Sequence, residues 1–352
     1  MDSLEGVAAP RRNRPPTIGD VAALAGVSPA TVSRVMNGNA SVDEALAQRV
    51  RAAATELHYS ASPLARSLVL GRTNTVAVVV PDLENPTFHG VLRGLGHAAA
   101  RNGYHVLVAD SAESVTEEQV LARQTRRRCD GLVLVAPRMA ESDLAELLSD
   151  LQPVVLVSRE PVEPSPTPVV TADYGGALIE LLDLLYADGH RSVLFLAGAP
   201  QSASNSRRLT ALASFSTRHP DLALHVQPCG VNFADGYDAA DAVLAAGVTA
   251  ALAFNDLVAM GLTSALTERG IAIPGRISVV GFDDIPFARY VTPPLTTAAV
   301  PVAELGEQAW LRMWDLLEGR EPAPTLTLNP QVQWRGSAGP APRRATETAI
   351  AL

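Results

Sequence analysis

The chain has 352 residues, 47% of them apolar, enough for two or three compact units with cores, so a wholly disordered protein is excluded. Its 28 basic and 37 acidic residues give a formal charge of −9, and every basic residue is arginine. Without lysine there is neither a Walker A loop nor Schiff-base chemistry. Cys129 and Cys229 form no CxxC pair and no disulfide framework, which suits a reducing cytoplasm. No apolar run reaches the roughly 18 residues of a membrane helix, and the N-terminal stretch lacks the apolar centre of a secretory signal. The expectation is a soluble cytoplasmic protein without membrane contact. Its charge is unevenly spread: residues 1–75 hold eight arginines against six carboxylates, whereas the rest holds 20 against 31. A slightly basic head precedes an acidic body.

Residues 1–16 read as a disordered tail whose arginines Arg11, Arg12 and Arg14 are better taken as solvated than as DNA-binding. Residues 17–60 then carry three helical patterns. Thr17 caps the first, with Asp20 at its third position, Val21 and Leu24 on its apolar side, and Gly26 as its stop. Ser28 caps a second helix that opens on Pro29, where a missing N–H costs nothing, and buries Val32, Val35 and Met36. Ser41 and Glu44 form a capping box for a third, buried through Leu46, Val50, Ala54 and Leu57. Two short helices joined by a turn with glycine make a helix-turn-helix pattern. Ser28, Thr31, Ser33 and Arg34 face away from the apolar side of the second helix. Small hydroxyls and a helix N-terminus suit phosphates, and arginine can grip O6 and N7 of guanine together. A capped three-helix module that binds nothing is the alternative on this pattern alone.

The run TIGDVAALAGVSPATVSRVMNGNASV resembles the DNA-binding head of the lactose/galactose repressor (LacI/GalR) family. LHYSASPLARSL is similar to that family's hinge, and NPTF, CDGLVLVAP, GHRSVLFLAG, FNDLVAMG, ISVVGFDD and YVTPPLTT continue the likeness in order to about residue 336. The resemblance implies a homodimer, with pairing into tetramers left open, on a pseudo-palindromic double-stranded DNA operator. It places Pro29 and Ala30 at the specificity positions and adds Thr17 and Asn37 to the DNA contacts. It makes residues 61–73 a hinge helix that forms on the operator, with Leu68 as a minor-groove wedge flanked by Ala65 and Arg66. Ser62 would cap that helix of barely two turns, which is marginal alone. Ala61 and Pro63 depart from the family's usual hinge.

From residue 74 to 336, short apolar runs alternate with amphipathic stretches, predicting an α/β body of doubly wound parallel sheets. Strands are expected at Val76–Val80, Tyr104–Val108, Leu132–Val135, Val154–Val157, Val169–Thr171, Ser192–Leu196, Ala250–Ala253 and Ser278–Val280. This length favours two subdomains with a cleft. The resemblance implies the periplasmic-binding-protein type I fold, with subdomains of about 74–172 with 301–328 and of 173–300 with 329–336. Residues 337–352 read as a second disordered tail.

Ligands of such sheets sit beyond the carboxyl ends of the strands. Thr87, Phe88, Ser158, Arg159, Arg208, Asn255 and Asp283 are the candidate effector-binding residues there, a set fitted to a sugar-like or nucleoside-like molecule. Asn255-Asp256 could instead cap a helix, Phe88 could be core, and Asp82 and Asp284 could be turn residues. Ser158 stands where the family often has aspartate, and Thr87 where it often has an aromatic, so no known sugar specificity transfers directly. There is no GxSxG, no HExxH and no His/Cys cluster, and Gly94-Leu95-Gly96 falls inside a predicted helix. No enzyme activity, metal or cofactor is expected. The reading is a ligand-responsive repressor. The alternatives are a regulator without effector response and a solute-binding protein of the same fold.

Overall fold

The computed structural model describes residues 16–36, 42–59, 71–161, 166–323 and 325–342. It divides into two units, residues 1–73 and 74–352. The first unit holds α1 (Ile18–Ala25), α2 (Pro29–Met36) and α3 (Glu44–Glu56) around Val21, Ala22, Ala25, Val32, Val35 and Val50. Gly26 ends α1 in the left-handed region at φ 67°, where a side chain is strained. Arg49 of α3 donates to the Ala25 carbonyl at 2.6 Å, tying the third helix to the end of the first. Two details differ from expectation. Leu24 is 48% exposed, because Ala22 and Ala25 complete the buried face with Val21. Asp43, not Ser41, caps α3 by accepting from the Leu46 N–H, so Glu44 is the first helical residue rather than a capping-box partner.

The second unit contains two parallel sheets. The first is ordered β11-β5-β4-β3-β1-β2 and comprises β1 (Thr75–Val80), β2 (His105–Asp110), β3 (Gly131–Val135), β4 (Val154–Val157), β5 (Val169–Ala172) and β11 (Leu326–Leu328). Side-chain alternation splits its apolar runs between two helical layers. Val76, Val78 and Val80 meet α4 (Pro86–Arg101) and α12 (Val302–Leu317) through Leu95, Trp310 and Met313. Ala77, Val79, Leu132 and Leu134 face α5 (Val115–Arg126) and α6 (Glu141–Asp150) through Ala122, Leu144 and Leu148. Gly94 lets α12 lie close on α4: a Cβ there would fall 1.9 Å from the Ala303 carbonyl oxygen. That packing, not a phosphate, accounts for Gly94.

The second sheet is ordered β7-β6-β8-β9, from β6 (Ser192–Ala197), β7 (Ala223–Pro228), β8 (Ala250–Ala253) and β9 (Ser278–Val280). Val193 and Phe195 face the side of α7 (Tyr174–Ala187) and α8 (Ala203–Arg218). Leu194, Leu196, Ala251 and Ala253 face α11 (Asp256–Glu268) and α10 (Ala240–Ala245), with α9 (Phe233–Asp238) packed against α11. The chain passes between these lobes after Ala172, after β10 (Thr297–Ala299), and between β11 and β12 (Gln331–Gln333).

β7, β10, β11 and β12 are absent from the sequence-based strands. β7 is an exposed edge strand carrying His225, Gln227 and Pro228, and the others are three-residue strands, too short for periodicity. The expected tail from 337 is corrected in part. Ser337 and Ala338 are buried, with Ser337 Oγ donating to the Val279 carbonyl at 2.6 Å, and Gly339 is held by His190 and Ser278. No helix among the described residues is long and apolar enough to cross a membrane.

Candidate functional site

In the first unit the two buried valines of α2 turn Pro29, Ala30 and Arg34 to solvent and leave Thr31 and Ser33 half-buried. Ser28 Oγ accepts the Thr31 N–H at 3.2 Å and lies 2.9 Å from Thr31 Oγ1, so both hydroxyls mark the helix start. Each can still bond a phosphate oxygen, because a hydroxyl offers one donor and two acceptor sites. Thr17 is committed to a capping box: its N–H and hydroxyl both donate to Asp20 Oδ2 at 2.7 Å. Asn37, Ala65, Arg66 and Leu68 lie outside the described residues.

In the second unit the carboxyl ends of both sheets border one cleft with a free volume of about 50 Å³. Thr87, Phe88, Ser158, Arg208 and Asp283 all line it. Six of the eight non-glycine residues with positive φ among those described follow the strands at this end. They are Ala112, Glu113, Ala136, Ser158, Asp283 and Asp284, with φ between 44° and 107°. Such conformations cost of order 1–3 kcal/mol each and cluster where side chains must be aimed.

Arg208 is 2% exposed and enters from α8. Its Nη1 donates to the Phe254 carbonyl, and its guanidinium carbon lies 3.8 Å from the Phe282 ring centroid, 4.7 Å from Phe254 and 5.2 Å from Tyr174. Its buried Nε has no hydrogen-bond partner, an unmet donor within a residue that lines the cleft. Burial lowers its pKa to about 10, leaving it cationic at neutral pH. Half-buried Asp283 faces this cation, and its Oδ2 accepts from Thr87 Oγ1 at 2.8 Å. Burial pushes its carboxyl up to about 6, although Arg208 and the Thr87 hydroxyl pull it down. Ser158 Oγ and the Tyr174 hydroxyl are 2.8 Å apart, and burial raises the phenol to about 12. Phe88, 8% exposed, belongs to the core and also forms a wall of the cleft.

Two expected residues do not line the cleft. Asn255 caps α11: its Oδ1 accepts the Val258 N–H at 2.9 Å and its Nδ2 donates to the Val231 carbonyl at 2.7 Å, which uses both ends of the amide. Arg159 borders a separate surface depression and donates to the Met139 carbonyl at 3.1 Å. Asp256 is fully buried, accepting from Thr297 Oγ1 at 2.6 Å and the Ile285 N–H at 2.8 Å, and burial with Asp283 nearby raises its pKa strongly. Asp82 accepts the Glu84 N–H in a turn, and Asp284 pairs with Arg335 at 2.6 Å.

Sequence reasoning missed Glu113, Arg138, Tyr174 and Ser202, all of which line the cleft. Glu113 follows β2, Arg138 follows β3, and Ser202 follows β6 and caps α8. Applying the strand-end rule to every strand finds these three. Tyr174, two residues past the end of β5, obeys the same rule, although the chain crosses to the second lobe there.

Two family descriptions match: the lacI family of bacterial regulatory proteins over residues 17–62, and the periplasmic binding protein-like domain over 182–338. The HTH-type transcriptional repressor CytR of Escherichia coli (strain K12) is 30% identical over 319 residues, covering 86% of this chain and 90% of its own. The crystal structure of the Lac repressor dimer bound to operator and the anti-inducer ONPF has a TM-score of 0.83 at 25% identity. That likeness covers 92% of this chain and 99% of that one. The complex of the transcriptional regulator CelR with cellobiose has a TM-score of 0.67 at 26% identity, over 92% and 99% of the two chains. With its head, its two-lobed body and a relative of this extent, the chain belongs to the lacI family of bacterial regulatory proteins.

Proposed function

We propose that this regulator is a cytoplasmic repressor, without catalytic activity, that binds a pseudo-palindromic operator as a homodimer and responds to a sugar-like or nucleoside-like effector. Exposed Arg34 reads a guanine, Pro29 and Ala30 supply only apolar contact, and Ser28, Thr31, Ser33 and Asn37 hold phosphates. Two-fold symmetry of the dimer imposes the pseudo-palindrome. Residues 61–73 link the head to the body, with Leu68 as the wedge beside Ala65 and Arg66.

The observation that carries the effector reading is the Thr87–Asp283 bond between lobes, beside the unpartnered Nε of Arg208. A polyol whose hydroxyls meet Asp283 and Arg208 competes with Thr87 for that carboxylate, and so changes the free energy of one lobe arrangement against another. Coupling of about 1–3 kcal/mol between cleft and head is typical of such linkage. The small cavity favours a second reading, a DNA-binding regulator whose cleft takes no effector. Operator titrations with and without a panel of sugars, nucleosides and polyols separate the two. A compound that changes operator affinity of the wild type, but not of Asp283→Ala, supports the effector reading. No change with any compound sinks it.

A further inference from the structure

The residues lining the cleft include four strongly ionising side chains whose charges cancel: Glu113 and Arg138 from the first lobe, Arg208 and Asp283 from the second. The Arg138 side chain is 6% exposed and clamped in a fork. Its Nε donates to Glu113 Oε2 at 2.6 Å and its Nη2 to Oε1 at 2.8 Å, while Nη1 donates to the Ala136 carbonyl at 3.1 Å. From behind, an oxygen of the buried Glu118 carboxyl group accepts the backbone N–H groups of Arg138 and Met139, each at 3.0 Å. Arg138 is therefore fixed in position and already neutralised.

The helix ends at the cleft have backbone donors already taken by side-chain caps. Asn85 Oδ1 accepts the Thr87 N–H at the start of α4, where Pro86 has no N–H to give. Ser202 Oγ accepts the Asn205 N–H at the start of α8. At α4 the proline, the cap and the Phe88 N–H bond to the Asn85 carbonyl leave the first turn no donor for an anion, and at α8 the cap takes one of them. An anion entering such a site would leave a net charge buried, which is strongly unfavourable, whereas hydroxyls can share the spare lone pairs of Glu113 and Asp283.

We infer that the cleft takes an uncharged polyhydroxylated molecule and that the Arg138–Glu113 pair is the specificity element that rejects its phosphorylated or carboxylated relatives. This rests on the effector reading above. The pair is the selective part because its two members are bonded directly to each other, whereas Asp283 is bonded to Thr87 and Arg208 to the Phe254 carbonyl, so removing one member leaves an uncompensated charge facing the ligand.

The test is calorimetric titration of the full chain with matched probes: cellobiose, ribose and adenosine, each beside its phosphorylated counterpart, with inorganic phosphate as a further probe. Wild type should bind a neutral probe at least about tenfold more tightly than the phosphorylated counterpart. Glu113→Gln leaves Arg138 unbalanced and should narrow or reverse that ratio by about tenfold; Arg138→Gln should widen it. A merely structural pair would weaken both members alike and leave the ratio fixed in either variant, which overturns the inference. Either variant alone gives the reading if the other fails to fold. A phosphorylated probe preferred by the wild type overturns this inference but spares the effector reading. Failure of every probe, in a panel widened to other neutral and anionic sugars and nucleosides, overturns both.

Discussion

The hydroxyl of Thr87 donates to the carboxylate of Asp283 across 2.8 Å, although the two residues stand 196 positions apart in the chain. One opens α4 in the first lobe, and the other follows β9 in the second. Around this bond the cleft retains only about 50 Å³, far below the roughly 300–1,000 Å³ of pockets that hold small ligands. Entry of an effector therefore requires the lobes to part or the lining to rearrange.

Thr87→Val keeps the shape of the side chain but removes the bridge. A hydrogen bond to a charged group contributes about 1.5–3 kcal/mol. The expected result is a shift toward parted lobes, read as a larger radius of gyration in small-angle scattering, with a lower urea midpoint. Unchanged scattering and midpoint would show that the bridge holds nothing.

Glu118 is 1% exposed, and burial pushes its pKa up to about 7 from 4.5. The native state thus holds a proton that the unfolded chain has lost between those values. The group's contribution is favourable below about pH 4.5 and is lost as the pH rises through about 7. Glu118→Gln keeps an acceptor for Arg138 and Met139 without the buried charge. In urea titrations it should exceed the wild type in unfolding free energy by about 1–3 kcal/mol at pH 8, and come close to it at pH 5. An equal difference at both pH values would contradict the raised pKa.

Gly94→Ala forces a methyl group against the backbone of Ala303, where no side chain can yield. Overpacking of this kind costs about 1–3 kcal/mol, sometimes more. A thermal melt should show the loss, and Gly96→Ala, whose nearest neighbour is a Val106 methyl at 3.9 Å, should come close to the wild type.

Arg34→Ala should cost about 1–3 kcal/mol of operator affinity and relax preference at one base pair, leaving effector binding intact. A binding-site selection that returns the same motif for variant and wild type would remove Arg34 from the reading.

The head was legible because its signals are local. Thr17, Gly26, Ser28 and Pro29 act within one turn of where they stand, and all four do what their chemistry dictates. Leu24 stays exposed because alanines can bury a helix face as well as a leucine can. In the body, buried parallel strands announce themselves as unbroken apolar runs, whereas the edge strand Ala223–Pro228 alternates too weakly to stand out. Within the cleft, Arg208 and Asp283 follow strand ends, and so do Glu113 after β2 and Arg138 after β3.

Local sequence thus determined the caps, the apolar strands and the alternation of strand and helix, since each depends on residues a few positions apart. Tertiary structure alone decided that Asn255 would spend its amide on Val231 and Val258, that Arg138 would meet Glu113, and that Thr87 would meet Asp283. Those pairings join segments brought together only when two sheets fold, and a side chain's free valence depends on which neighbours arrive.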